Sequence, residues 1–554
     1  MSSLYGSFAT LQPHQNWSTV FVGICLAIIL RLVNRYLIIL NHVKALPNIV
    51  TLFFGFEPGT RTRLPHIPWI CPVNDYTVYQ PWLKYQRARS DLIAFPSLLS
   101  STSAYVTSSP STAQYISSRP HLFHKPLHMQ RYIGFNVFGM TLLSTQTGDE
   151  HKRHWSVVRR CFSDRQMASV WEAMRWSLNT FISEEVDQGE KGIVEDVREA
   201  LIRVTLLVIG RKGFGKDFPW NLSETEGYDI PFEESLYVVE QSVLLQIILP
   251  AWVMKLLPLH RLQRFWRARK AFLAHLERMY LDKRTELQTS GADSSIEEEK
   301  APTDLLGALV HSQLGVEQEA RLQGGDEKVA GLTKSEIIGN MCDAGHETSG
   351  HTLGFAVAFL ALYPQWQEEI YQEIVFACGD KQPTYKDMHK LPLTLAVCLE
   401  TLRLRDIVST IMKEAIDDVF VPYTTWDAEG NITTRTHLVK KGSLFVIDSS
   451  ATSINPHAWG LGSMEFNPRR HLGNTPPFVS FSLGARQCLG KRFAEVEMTS
   501  FVSGLCRNFK VYPVKSHEEE SWEEMKARMI DSATEQISFQ PGRFAVRLER
   551  RWRV

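Results

Sequence analysis

The chain has 554 residues, enough to bury a large core and enclose a cofactor, and its 44% apolar and 22% charged content is ordinary for a globular protein. Sixty basic residues against sixty acidic ones exclude a bulk charge for binding nucleic acid. Eight cysteines with no C-x-x-C pair exclude a disulfide scaffold at this length and read as reduced thiols in a cytosol-facing protein.

The first 16 residues precede an apolar run from Trp17 to about Val33, followed by a second apolar patch from Tyr36 to Leu40. A spanning helix needs about 20 mostly apolar residues, and the first run falls slightly short. Arg31 and Arg35 extend its reach by snorkelling toward the interface. Few basic residues precede the run, whereas Arg31, Arg35 and Lys44 follow it, which places the C-terminal side in the cytosol. The rival is a cleaved signal peptide, but a basic n-region and a clear small-residue cleavage site are missing. The expectation is a luminal segment over 1–16 and a single-pass anchor over 17–40. Pro47, Pro58, Pro65, Pro68 and Pro72 forbid a long helix and predict an extended connector over 41–74. One globular domain is expected over 75–554.

The middle of the chain is helical in pattern. Trp155 to Trp176, Arg261 to Leu287, Lys334 to Leu362, Trp366 to Ala377 and Leu393 to Leu404 carry apolar side chains at three- and four-residue steps. Residues 243 to 259 are apolar but broken by Pro250 and Pro258. Two readings stay open there: a pair of core helices, or a loop dipping into a membrane face with Trp252 at the interface. Ser290 to Thr303 reads as an exposed acidic loop, and Ser516 to Asp531 as an acidic surface insertion. Ser443 to Asp448 and Phe544 to Leu548 read as strands. The fold class is mainly α with a minor β part.

The strongest chemical signal is Phe481-Ser-Leu-Gly484-Ala-Arg486-Gln-Cys488-Leu-Gly490, of the form F-x-x-G-x-R-x-C-x-G. A cysteine that ligates a metal must be a thiolate, which needs nearby donors or positive charge. Gly484 and Gly490 permit a tight turn and a close approach to a flat cofactor. Lys491 to Phe501 reads as a helix whose N-terminal amides favour the thiolate. Arg486 can pair with an anionic group, and Phe481 can shield the sulfur from water.

These residues resemble the haem-binding loop of the cytochrome P450 family, and three more matches stand in the family's order. Ala344-Gly345-His346-Glu347-Thr348-Ser349 resembles the A-G-x-E/D-T-T/S segment crossing the oxygen-binding face. Glu400-Thr-Leu-Arg403 resembles E-x-x-R, and Phe466-Asn-Pro468-Arg-Arg470 is similar to F-x-P-E-R. The resemblance spans roughly Leu46 to Arg550.

It implies a cytochrome P450 fold behind one N-terminal transmembrane helix, in the endoplasmic reticulum membrane, with the catalytic domain cytosolic. It implies haem b (iron protoporphyrin IX) with Cys488 as the axial ligand to iron. Glu347 and Thr348 would organise proton delivery. Glu400, Arg403 and Arg470 would form a structural cluster in which two guanidinium forks answer one carboxylate. Lys413 stands where a basic residue approaches a propionate. For the preceding helix two registers are open: Trp155 with Arg159, or His151 with Trp155. The implied partners are O2, a small apolar substrate, and an NADPH-dependent cytochrome P450 reductase with cytochrome b5 as an optional second donor. No flavin or nicotinamide fingerprint is present. The pattern is similar to fungal microsomal members, many of which tailor terpenoids in secondary metabolism. Fatty-acid or xenobiotic hydroxylation is the runner-up, and a haem-bound, isomerase-type non-oxygenase is the reading from another class.

Three departures stand out. Only Met341, Cys342 and Asp343 separate Asn340 from Ala344, about three residues fewer than expected. Such a loss turns the preceding helix by roughly 60° relative to the motif. The usual prolines after Leu404 are absent, and Asp343 puts a charge where apolar residues are usual.

Overall fold

The computed structural model describes residues 14–52, 80–97, 102–136, 138–221, 230–242, 251–257, 259–289, 304–323, 331–342, 345–535 and 538–551. The acidic loop of Ser290 to Thr303, most of the proline-spaced connector, Asp343 and Ala344 lie outside them. Helix α1 (His14–Val43) runs through both apolar patches without a break. It is therefore longer than the first patch alone implied, and 25 residues of it, Thr19–Val43, are long and apolar enough to cross a membrane.

The largest sheet of the β part is a mixed five-stranded one. Its strands are β1 (Leu92–Phe95), β2 (Ala104–Thr107), β3 (Phe123–His124), β4 (Thr410–Ala415) and β5 (Leu444–Asp448), in the order β1-β2-β5-β4-β3. Strands β2 and β5 pair in parallel, and β4 pairs antiparallel to β5 with Lys413 opposite Phe445. Both faces of β5 are buried: Phe445 and Ile447 join one apolar cluster and Val446 another. A strand covered on both faces has no room for alternation, which is why Leu-Phe-Val-Ile reads as a continuous apolar run.

The helical part holds the larger core. Helix α2 (Asp149–Val158) is followed by a 3-10 turn over Arg159–Phe162 and then by α3 (Asp164–Phe181). The stretch Trp155 to Trp176 is thus two helices, because Ser163 adopts an extended backbone and caps α3 by accepting from the Gln166 amide. Helices α4 (Val197–Ile209) and α5 (His260–Thr289) follow. Lys334 to Leu362 is also two helices, α6 (Lys334–Cys342) and α7 (His346–Leu362), with Gly345 extended at the start of α7. The shortened sequence before the motif coincides with this interruption. Every residue of α7 from Ser349 to Leu362 is buried, and from Leu353 onward the helix is apolar all round. Against it, α4 approaches closely at Gly350, where a Cβ would meet Ile202 Cδ1 at 2.7 Å and Thr205 Oγ1 at 2.9 Å. Helices α8 (Pro364–Cys378), α9 (Pro392–Leu404) and α10 (Lys491–Asn508) lie further along the chain.

Ser516 to Asp531 is more than a surface insertion. Met525, Met529 and Ile530 are buried, and Glu520 pairs with Arg528 at 2.6 Å. Of the apolar stretch from 243 to 259, residues 243–250 and 258 lie outside the described residues. The short helix Ala251–Leu256 buries Met254 but leaves Trp252 and Leu256 exposed, as are Leu257 and Leu259 beyond it.

A polar clamp fastens α2 to α6. Arg153 donates to both Glu336 oxygens at 2.5 and 2.9 Å, and the Thr333 amide donates to the same carboxylate at 2.8 Å. Burial opposes ionisation of Glu336, but the Arg153 and Thr333 hydrogen bonds outweigh it and hold the carboxyl down at about 2. The folded value lies below the ordinary one. Its stabilisation is therefore full above the ordinary carboxylate range and lost as pH falls toward 2. Glu336→Gln should lower stability at pH 7 by about 2 kcal/mol. In denaturant titrations the gap between variant and parent should close as pH is lowered; a gap independent of pH would contradict this account.

Candidate active site

The Phe481–Gly490 loop is built on one strained turn. Ser482 has φ 58° and Gly484 φ 68°. At Gly484 a Cβ would collide with the Ser117 carbonyl oxygen, so the glycine is required by both conformation and space. Gly490 is a different case. Its φ of −77° suits any residue, and a Cβ there would sit 3.8 Å from Cys488 Sγ. Its lack of a side chain keeps the sulfur's flank open. The Cys488 amide donates to the Phe481 carbonyl at 2.8 Å, closing the loop.

Cys488 is solvent-accessible, yet protein surrounds its sulfur closely enough to penalise a charge. Burial pushes the thiol above its ordinary value, while the amides of Gly490 and Lys491 donate to the sulfur and pull it back. Those two amides open α10, as expected from the sequence. Phe481 is buried, with the Lys491 ammonium 5.9 Å from its ring centre.

Three cationic or basic groups converge nearby. Arg486 Nη2 donates to the carbonyls of Leu142 and Thr145 at 2.9 and 3.0 Å, and its buried Nη1 has no hydrogen-bond partner. Burial lowers the guanidinium to about 10. Burial, and then the charge of Arg486, bring buried Lys413 down to about 8. Burial, Arg486, Lys125 and His154 bring His151 down to about 4. All three therefore lie at the edge of a region short of negative charge. Trp155, one turn after His151, is 39% exposed and carries the Arg159 guanidinium 4.5 Å over its ring.

The Ala344–Ser349 motif opens α7. Ala344 lies outside the described residues. Thr348 is exposed, and its hydroxyl donates to the Gly345 carbonyl at 3.4 Å. Burial raises the Glu347 carboxyl, opposed by a hydrogen bond from Ser538. Next along the helix, Ser349 hydrogen-bonds buried Glu497 of α10, whose carboxyl burial pushes up to about 8. This contact ties α7 to the helix that follows Cys488. Glu497 and Ser538 carry no signal in a single sequence, because each acts through a neighbour distant in the chain.

The Glu400 cluster assembles differently from its expected form. Arg403 supplies the one true fork, with Nε at 2.7 Å and Nη2 at 2.9 Å from the two Glu400 oxygens. Its Nη1 donates to the carbonyls of Ser453 and Ser463 at 2.7 and 2.6 Å. Arg470 Nε stays 3.5 Å from Glu400 without a hydrogen bond, and its fork goes to the carbonyls of Trp459 and Gly462. The second side-chain partner of Glu400 is His471, at 3.1 Å, and the Asn467 amide adds a third contact at 2.9 Å. Burial works against the charge on Glu400, yet Arg403 and His471 keep the carboxyl below its ordinary value. From His471 an aromatic path runs through Phe478, 5.7 Å away, to Phe481, a further 6.3 Å, in the cysteine loop.

A family model described as Cytochrome P450 matches residues 112–539. Cytochrome P450 monooxygenase 124 of Postia placenta is 29% identical over 479 residues, covering 83% of this chain and 86% of its own length. A ganoderic acid synthetase of Ganoderma lucidum is 24% identical over 409 residues, covering 67% of this chain and 73% of its own. A 7-deoxyloganic acid hydroxylase of Catharanthus roseus is 25% identical over 386 residues, with 67% and 68% covered.

The unequal shares in the Glu400 cluster give an ordered expectation. Glu400→Ala leaves the buried Arg403 guanidinium without its carboxylate and should cost about 3–5 kcal/mol. Arg470→Ala removes two carbonyl contacts from a part-buried side chain and should cost about 1–2 kcal/mol. Yield of folded protein and urea midpoints measure both; equal losses would restore the two-fork picture.

Proposed function

The chain belongs to the cytochrome P450 family of oxygen-incorporating oxidoreductases, which use O2 and an electron-transfer partner, and we propose that it is a monooxygenase holding haem b through the Cys488 thiolate. The observation carrying this reading is the pairing of Cys488, facing two helix-N-terminal amides, with Arg486, Lys413 and His151, none of which has a carboxylate partner among the described residues. A haem fits that chemistry: a thiolate ligand on one side, and two propionates for a part-buried guanidinium with a buried, spare Nη1. Bound there, haem supplies oxygen activation, and thiolate donation favours O–O cleavage.

The remaining work falls to side chains. Arg486 and Lys413 anchor the propionates, with His151 completing that edge. Its response to the Arg486 charge supports the register in which His151 and Trp155, rather than Arg159, approach the cofactor. Phe481 keeps water from the sulfur. Thr348 and Glu347 hold and pass protons, an alcohol and a half-buried acid at adjacent positions. Glu400, Arg403 and Arg470, with His471, steady the cysteine loop.

The substrate class we propose is a small apolar molecule, with terpenoid or other secondary-metabolite tailoring favoured. The ganoderic acid synthetase and the 7-deoxyloganic acid hydroxylase among its relatives support that choice over fatty-acid or xenobiotic oxidation. The isomerase-type alternative rested on the short segment before Ala344. Electrons would come from an NADPH-dependent cytochrome P450 reductase, with cytochrome b5 as a second donor. Helix α1 would anchor the protein in the endoplasmic reticulum membrane with residues 75–554 in the cytosol. The exposed Trp252, Leu256, Leu257 and Leu259 support contact of the body with that membrane.

Two experiments test this reading. Reduced protein with carbon monoxide should show the red-shifted Soret band of a thiolate-ligated haem. Cys488→Ala should abolish it, whereas Thr348→Ala should keep it and divert reducing equivalents to peroxide. A variant lacking Cys488 with an unchanged spectrum rules out the ligand. For topology, Asn221 and Asn431 stand in N-x-S/T sequons and should carry no glycan in cells, because they never meet the lumen. A glycosidase-sensitive mass at either one reverses the orientation.

A further inference from the structure

Resting on the proton-handling role of Glu347, we infer that Ser538 and His351 form a relay that recharges this carboxyl from the protein surface. Glu347 and His351 are one helical turn apart on α7, so their side chains share a face. Ser538 bridges them from outside the helix. Its hydroxyl stands 3.1 Å from His351 Nδ1 and acts on the Glu347 carboxyl in the direction that favours its ionised form. Ser538 is held in place through its neighbour, since the Phe539 amide donates to the Ile407 carbonyl at 2.8 Å.

Proton counting fixes the direction of this chain. A serine has one hydroxyl proton, and here it goes to Glu347, whose ionised form the contact favours. The Ser538 oxygen then accepts from His351, which must carry its proton on Nδ1. The imidazole is neutral: burial, then His346, then Arg198 hold it down at about 3. Arg198 belongs to α4, keeps about a third of its side chain in solvent, and shares Asp196 with Arg543 at 3.9 and 3.2 Å. We place the outer end of the relay at this partly exposed Arg198–Asp196 group, whose charge reaches His351. The charged or titratable groups that act on it are His346 of α7 and Arg198 of α4.

The transfer balances. For each proton that Glu347 passes on, its carboxylate takes the Ser538 hydroxyl proton. The Ser538 oxygen takes the Nδ1 proton of His351, and Nε2 takes one from water. One proton enters and one reaches the carboxyl; the ring is left as its Nε2–H tautomer and is reset by a second exchange, Nε2 releasing a proton to water as Nδ1 takes one up from water.

The test uses the full-length haem protein with NADPH and a cytochrome P450 reductase. Ser538→Ala and His351→Gln should each slow NADPH-driven oxygen consumption by roughly tenfold, Ser538→Thr should restore most of it, and Glu347→Gln should be slowed at least as much. Independently of turnover, the infrared carboxyl band that Glu347→Gln abolishes should shift in Ser538→Ala. Normal rates in Ser538→Ala and His351→Gln with a slow Glu347→Gln overturn the relay and leave the role of Glu347 standing. A normal rate in Glu347→Gln overturns both. An unshifted carboxyl band also removes Ser538 from the relay. If Ser538→Ala does not fold, His351→Gln answers the same question.

Discussion

A fully buried carboxylate must be answered on nearly all its lone pairs, or it unfolds the region around it. Glu400 meets that demand with one guanidinium, one imidazole and one amide, each from a different stretch of chain. Arg403 spends its remaining donors on the carbonyls of Ser453, Ser463 and, at 3.3 Å, Glu465. Helix α9, the segment after β5 and the segment leading to the cysteine loop therefore close together or not at all. Phe466 adds an apolar side to this junction by stacking on Phe359 of α7 at 4.2 Å and 4°. The cysteine loop and α7 thus share one fastening.

From that junction the effects can be followed outward. Asp406, just after α9, accepts from Ser480 at 3.2 Å and so holds the loop from its other side. Arg486 reaches from the loop to the Leu142 carbonyl, and the Leu142 amide in turn donates to Asn340 of α6 at 2.9 Å. Asn340 contacts His154 of α2 at 3.2 Å. A continuous polar path therefore joins the cysteine loop to the Arg153–Glu336 clamp. It explains why a segment far from Cys488 in sequence can govern how Arg486 is aimed.

Much of this was legible in the sequence where the constraint is local. The glycines and cysteine of one ten-residue loop advertise a turn, and the periodicity of Trp366 to Ala377 or Leu393 to Leu404 gives a helix within two residues of its ends. Periodicity failed where a short break interrupts a pattern that resumes, as at Ser163 and again between Cys342 and His346. Extended backbone at Ser163 and at Gly345 is not something a count of apolar spacings registers. The Glu400 cluster shows another limit. E-x-x-R names the correct carboxylate and the correct fork, yet the second partner is His471 rather than its neighbour Arg470. Choosing between adjacent residues requires knowing which way a 3-10 turn over Pro468–Leu472 rotates them. Tertiary partners such as Ser538 and Glu497 have no local signature at all.

Gly350 occupies the point where α4 and α7 touch, between Ser349, bonded to Glu497, and His351, bonded to Ser538. Its neighbours on either side face the two regions whose spacing the proposed chemistry depends on. Even one added methyl would have to lever the helices apart against Ile202 and Thr205, and the displacement would reach both hydrogen bonds at once. Sequence drift at this position is thus confined far more tightly than at any exposed residue of the pocket. The same confinement means that a change of side chain at Ile202 or Thr205 on α4 bears directly on the α7 backbone between Ser349 and His351.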